Sequence, residues 1–226
     1  VELVGGRSNK NIFIFSAIGL LLSIVISVIL KMFFEKIKKV NELSDVSKIP
    51  VLGGIPYFYN FENILDLKIK SKDNFVESLR SIRTSMNFLL TDKSESKNFK
   101  SFQITSIHPG EGKTFTTINL ARIFASSGKK VLIVDFDMHK PKVHKELILE
   151  NKIGNSTNLS NKSKFEKTII DIEKNLCVIT SGPVPPNPSE LVLSERVNEL
   201  IEFAKSKFDY MFIDTPPIGY ISDALV

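Results

Sequence analysis

The sequence predicts an α/β protein: a doubly wound, mostly parallel sheet preceded by one helix long and apolar enough to cross a bilayer. Three observations carry this. Apolar strand-like runs alternate with helical spacings between residues 100 and 215. One of these runs breaks into a glycine-bearing turn and then Gly-Lys-Thr, at Pro109-Gly110-Glu111-Gly112-Lys113-Thr114. Residues 12–30 contain no charge and are almost wholly Ile, Leu, Val, Phe, Ala, Gly and Ser.

The turn carries the chemistry. Strand, glycine-bearing loop, Gly-Lys-Thr and helix is the arrangement of a phosphate-binding loop. Glycine lets backbone N–H groups approach phosphate oxygens with no Cβ in the way. The helix opening at Lys113 points its positive dipole end at the same anion. Lys113 is expected on the β- and γ-phosphates, and the Thr114 hydroxyl on Mg²⁺. Pro109, Gly110, Glu111, Gly112 and Phe115 complete the expected nucleotide-binding stretch. The strict pattern has glycine five positions before Gly112, and Ile107 stands there, so the loop is a variant.

Composition narrows the alternatives. The chain has 226 residues, formal net charge +5 and a single cysteine, Cys177, which excludes a disulfide framework or cysteine metal cluster. Cys177 lies in an apolar run and reads as a small buried residue. His108, His139 and His144 are too scattered for a metal site. The chain begins at Val1 without an initiator Met, which reads as a fragment.

In order along the chain, residues 1–11 form a stub and residues 12–30 the membrane span. Arg7 and Lys10 precede it; Lys31, Lys36, Lys38 and Lys39 follow. That excess places the C-terminal side in the cytoplasm. The same lysines either rest on anionic headgroups or are a plain solvated flank. Residues 31–72 are a basic juxtamembrane segment and Pro/Gly-bearing linker. The cytoplasmic domain is assigned to residues 73–226.

That domain opens with Asp73 as N-cap of a helix reaching Leu90. Glu77, Arg80 and Arg83 recur every three residues on one side of it, and spacing alone reads them as a solvated, salt-bridged face. Residues 91–100 read as a loop. After the phosphate loop, Gly128-Lys129-Lys130 ends a helix, and residues 131–134 form a strand buried on both faces. It delivers Asp135 and Asp137 to the carboxyl edge, where the ligand crevice of such sheets lies. Residues 151–167 read as an exposed polar loop. Residues 176–180 read as a strand. Asn187 as cap, Pro188 and Glu190 then start a helix carrying Leu191, Val192, Val197, Leu200, Ile201 and Phe203 inward. The last strand, residues 210–213, ends in Asp214, positioned to hold Mg²⁺.

The assembled motifs resemble those of the bacterial tyrosine kinases of capsule and exopolysaccharide synthesis. The resemblance rests on four matches in order. They are Pro109 to Thr114, the strand ending Asp135-Phe136-Asp137, Gly182-Pro183-Val184-Pro185-Pro186-Asn187-Pro188-Ser189-Glu190-Leu191, and Phe208 to Pro217 followed by Ser222-Asp223-Ala224. It implies a P-loop fold whose sheet is incomplete in this chain, and an ATP- and Mg²⁺-dependent tyrosine autokinase at the inner membrane, coupled to the polysaccharide polymerisation and export machinery. Lys113, Asp135, Asp137 and Asp214 are the implied catalytic set, with Thr114, Asp137 and Asp214 as the Mg²⁺ ligands. Glu77, Arg80 and Arg83 match the element that joins protomers into a homo-oligomeric ring. The substrate is a tyrosine of the neighbouring protomer; nucleic acid is not an expected partner. Two departures stand out. His139 and then Lys140 occupy the place of the family's arginine. The tyrosine-rich tail is absent, the tyrosines being Tyr57, Tyr59, Tyr210 and Tyr220. A partitioning-type ATPase would carry lysine where His108 stands and no membrane span; an ATP-binding regulator of chain length would keep the nucleotide site without turnover.

Overall fold

The computed structural model describes residues 6–33, 49–57, 64–66, 72–90 and 99–219. Lys36, Lys38, Lys39, Tyr59, Tyr220 and Ser222-Asp223-Ala224 lie outside the described residues. The chain divides into two compact units, Val1–Val51 and Leu52–Val226.

Within the first unit the structure describes helix α1 (Gly6–Phe33). Its apolar stretch Asn11–Met32 counts 22 residues, about 33 Å at 1.5 Å per residue, against a hydrocarbon core of about 30 Å. Its side chains are exposed all round. Ser23 and Ser27 donate back to the carbonyls of Leu20 and Ser23, both at 2.8 Å, so neither hydroxyl is left open to an apolar surrounding.

The second unit is a five-stranded sheet of order β1-β5-β2-β4-β3. Its strands are β1 (Lys100–Ile104), β2 (Val131–Asp135), β3 (Ile170–Glu173), β4 (Leu176–Ile179) and β5 (Tyr210–Asp214). β1, β5, β2 and β4 run parallel, and β3 turns back antiparallel on β4. The helices are α2 (Asn74–Leu89), α3 (Lys113–Ser126), α4 (Val143–Glu146), α5 (Asn155–Leu159), α6 (Pro188–Val192) and α7 (Arg196–Lys207).

β2 explains the two-sided core. Val131 and Ile133 face one layer with Phe75, Leu79, Ile118, Phe124 and Phe212. Leu132 and Val134 face the other with Ile179, Leu200 and Met211. All four apolar side chains of β2 are fully buried, which is why the run is continuous rather than alternating. The Asp73 carboxylate caps α2 by accepting from the Phe75 amide at 2.9 Å. Gly128, at φ 89°, closes the end of α3.

Three expectations need correction. Residues 151–167 are not an exposed loop: they contain α5, and Asn155, Ser156 and Asn158 are buried. The Asn155 and Ser156 amides donate to the carbonyls of Thr180 and Ser181, both at 2.7 Å, so the segment pairs with the chain leaving β4. Contact is so close that a Cβ on Gly154 would sit 2.3 Å from the Thr180 carbonyl oxygen. Second, the helix expected from Asn187 is two helices, α6 and α7, and Asn187 does not cap with its side chain; its amide donates to Glu190 instead, at 2.6 Å. Third, Cys177 is half-buried, and its thiol donates to Asp171 at 3.0 Å. Burial, and then the Asp171 carboxylate, push that thiol up to about 12. Beyond these, β3 had no reading from the sequence: its four residues are too short a period-two signal to announce a strand, and pairing with β4 makes it one.

The linker also contributes. Leu52, Ile55 and the buried Ile64 pack on the α2–α3 layer. The buried guanidinium of Arg122 donates to the carbonyls of Ile64 and Leu65 at 2.7 and 3.2 Å while pairing with Glu173 at 2.7 Å.

Candidate functional site

Register brings the acids together. Asp214, the last residue of β5, lies opposite Asp135 of β2 on one side and Ile104 of β1 on the other. The carboxyl ends of three neighbouring strands therefore share one edge, and the phosphate loop leaves β1 at that edge. The loop is tied there: Thr105 Oγ1 donates to the Pro216 carbonyl at 3.0 Å, and Thr215 Oγ1 to the Ile104 carbonyl at 3.0 Å.

Gly110 and Gly112 both adopt φ 85°, in the left-handed region that favours glycine, and a Cβ on either would meet only open space. Gly112 caps α3 without any side-chain cap. The first amides of α3 are thus presented at a dipole end to an incoming anion.

Behind the loop the polar side chains form one connected set. Lys113 Nζ stands 3.4 Å from Asp137 Oδ2, with both groups buried. Thr114 Oγ1 donates to Asp214 Oδ2 at 2.7 Å. Asp135 Oδ1 accepts the Asp137 amide at 3.0 Å, and Asp137 Oδ1 accepts the Lys140 amide at 2.9 Å. Asp135 Oδ2 is buried with no hydrogen-bond partner. Burial, then the nearby Asp214 charge, hold the Asp135 carboxyl well above the usual range. Burial raises Asp214 to about 6 against the opposing pull of the Thr114 hydroxyl and Lys113. Two neighbouring acids pushed up by burial in one crevice mark it as a candidate functional site.

Among the described residues no three His, Cys, Asp or Glu side chains form a preformed metal cage. Mg²⁺ does not need one, since it is commonly held by one or two carboxylates, waters and substrate phosphates. The donor set of Thr114, Asp137 and Asp214 is of that hard oxygen kind.

Other named residues fall elsewhere. Phe115 turns its ring to Phe75, centroids 5.5 Å apart, toward the core. Glu111 folds back on the loop and accepts the Ile107 and His108 amides at 3.0 and 3.2 Å. On α2, Glu77 pairs with Arg80, and Arg83 donates to the Ile123 carbonyl of α3 at 3.1 Å. Two residues were passed over in the sequence. Thr117 Oγ1, fully buried, lies 2.9 Å from the Lys113 carbonyl and 3.4 Å from Asp214 Oδ1. Its spacing three after Thr114, on the same helical side, was the available signal. Asn155 reaches the Asp135 carbonyl at 3.4 Å, and nothing local announced that.

Comparison with known proteins agrees with this geometry. Residues 99–223 match the AAA domain family. The chain is 45% identical over 151 residues to the tyrosine-protein kinase YwqD of Bacillus subtilis, a match covering 66% of this chain and 62% of that protein. It is 39% identical over 155 residues to the tyrosine-protein kinase etk of Escherichia coli, covering 68% of this chain and 21% of that protein. The chain thus spans about three fifths of the first relative's length and about a fifth of the second's. Among solved structures, the chimerical protein CapA2B2 superposes with TM-score 0.74 at 36% identity, covering 82% of this chain and 79% of that one. The kinase domain of Escherichia coli ETK superposes with TM-score 0.73 at 32% identity, covering 84% and 77%. Sequence and backbone similarity thus agree, and the chain belongs to the bacterial tyrosine kinase family, built on an AAA domain.

Proposed function

We propose that this chain is an ATP-dependent protein-tyrosine autokinase of the inner membrane, anchored by residues 12–30, that regulates capsular or exopolysaccharide polymerisation and export. The observation that carries the reading is the buried set Lys113, Asp137, Thr114 and Asp214 behind a loop whose two glycines are in the left-handed region.

The residues' own chemistry supports defined roles. The Lys113 ammonium, held by Asp137 at 3.4 Å, is poised to exchange that carboxylate for phosphate oxygens. Asp137, released, is free to accept the proton of a tyrosine hydroxyl; Asp135 fixes the Asp137 backbone from behind. Asp214 orients the Thr114 hydroxyl, and both are oxygen donors for Mg²⁺. Mg²⁺, when bound, supplies charge neutralisation on the phosphates. Positioning and electrostatics do most of the work in phosphoryl transfer. Lys140, exposed, stands in for the family's arginine as a single cation without a bidentate fork.

Residues 31–72 link the anchor to the cytoplasmic domain at residues 73–226, and Glu77, Arg80 and Arg83 are proposed to join protomers in a ring. Of the described tyrosines, Tyr210 is buried at the opposite end of β5 from Asp214 and is not placed to accept a phosphate there, while Tyr57 is 79% exposed. The test is incubation of the protein in membranes with γ-labelled ATP, followed by a phosphotyrosine blot. Label on tyrosine is the expected result. Nucleotide binding without label would favour a non-catalytic regulator.

A further inference from the structure

Ile107 stands where a phosphate loop ordinarily needs glycine, yet its backbone is not left-handed: among the described residues, the non-glycine residues with positive φ are Ile148, Asn161 and Asn175. Its side chain points outward at 60% exposure. What replaces the glycine is visible in the hydrogen bonds. One carboxylate oxygen of Glu111 accepts both the Ile107 amide, at 3.0 Å, and the His108 amide, at 3.2 Å. Ser106 Oγ donates to the His108 carbonyl at 2.8 Å. On the other side, the segment after Asp214 donates Ile218 N to the Ser106 carbonyl at 2.9 Å and Gly219 N to the Ile107 carbonyl at 3.2 Å. The first half of the loop is therefore fastened along both margins.

We propose that Glu111 is a positioning residue. Its carboxylate acts as a built-in anion that takes two amides out of phosphate binding and fixes the loop, leaving the stretch from Gly110 to Thr114 to meet the phosphates. This rests on the reading of the loop as a nucleotide site. Two physical points carry it. A carboxylate in a loop meant for a polyphosphate repels the ligand, so its presence requires a compensating contribution; two charge-assisted hydrogen bonds to backbone donors are that contribution. Because the backbone at Ile107 is not left-handed, a glycine would be needed there only if an anion had to approach the backbone closely. With the Ile107 amide turned to Glu111, no phosphate approaches there, and isoleucine is tolerated.

The test uses the full chain in detergent and two readouts. The first is hydrogen exchange at the Ile107 and His108 amides without nucleotide. Glu111→Ala is expected to speed exchange at both by at least about tenfold, and Glu111→Gln, which keeps one acceptor oxygen, by less. The second is affinity for Mg²⁺-ADP, expected to fall about tenfold in Glu111→Ala and less in Glu111→Gln. Ile107→Gly with Glu111 intact should stay within about twofold of the parent, because that amide does not serve the phosphate. Unchanged exchange in Glu111→Ala, or unchanged affinity, overturns the proposal. Tighter binding in Glu111→Ala also overturns it, since the carboxylate would then act only as a repelling charge. A parent protein that shows no Mg²⁺-ADP binding at all removes the nucleotide reading, while the exchange result still decides whether Glu111 fastens the loop.

Discussion

The two ends of the parallel strands are built on opposite principles. From the amino-terminal end to the middle of the strands, Phe102, Phe124, Tyr210 and Phe212 form one aromatic cluster, with the Phe124 and Tyr210 rings 4.7 Å apart and Phe124 and Phe212 5.3 Å apart. Burial there brings apolar groups together and stabilises the domain directly. At the carboxyl end, three aspartates and a lysine are buried within a few residues, one carboxylate oxygen has no partner, and two of the acids are pushed up. That end costs stability until a ligand balances it. The difference teaches where function resides: the same strands, buried along their length, carry an end that holds the fold and an end that holds chemistry.

The largest effect expected from this comparison is on the stabilising end. Phe124→Ala should lower unfolding free energy by about 3–5 kcal/mol in denaturant titration, because it empties the centre of the aromatic cluster. A loss under about 1 kcal/mol would mean that the cluster does not carry the fold.

At the carboxyl end the sign reverses. The folded carboxyl of Asp214 titrates at about 6, above the ordinary 3.8, so the folded state keeps a proton that the unfolded chain has released. Stability therefore falls as pH rises from about 4 to about 6, and the penalty is complete above that window. Asp214→Asn should stabilise the nucleotide-free protein at pH 7 by on the order of 2–3 kcal/mol and change little at pH 4, while weakening phosphoryl transfer. A pH-independent effect in thermal melts would contradict this.

Gly154→Ala should cost about 1–3 kcal/mol, since the added carbon meets backbone atoms at 2.3 and 2.4 Å that no side-chain rotation can clear. The smallest stability effect belongs to the α2 face. Replacing Glu77, Arg80 and Arg83 together by Ala should cost less than about 2 kcal/mol, mostly from the lost bond between Arg83 and the Ile123 carbonyl. Assembly measured by light scattering should nonetheless fall to monomers that still bind nucleotide. An oligomer that persists would return the face to a solvated role.

How much was legible depended on whether the signal was local. The phosphate loop, β2 and β5 were readable because hydrophobic runs, glycines and strand-end acids are adjacent in the chain. Residues 151–159 were misread because their polar side chains are satisfied by partners about thirty positions away, as when Asn151 bonds both backbone polar groups of Gly182, at 2.7 and 2.8 Å. Composition reports polarity but not whether it is paired. Arg122 was likewise invisible: it looks like one more helix cation until the Ile64 carbonyl, 58 positions earlier, is found beside it at 2.7 Å. Glu111 was named as a loop residue, but which way its carboxylate turns is a matter of three-dimensional geometry.

The central claim is that the carboxyl end is a phosphate site organised by Lys113. Calorimetric titration of the full chain with Mg²⁺-ADP, beside its Lys113→Ala variant, tests it most directly. The buried ammonium has no substitute in the loop, so the variant should lose about a hundredfold or more in affinity, as expected for removing a charged partner from a buried site, and its thermal stability should fall at neutral pH because Asp137 loses its buried partner and Asp214 a cation that offsets it. Equal affinity in the two proteins would contradict the account.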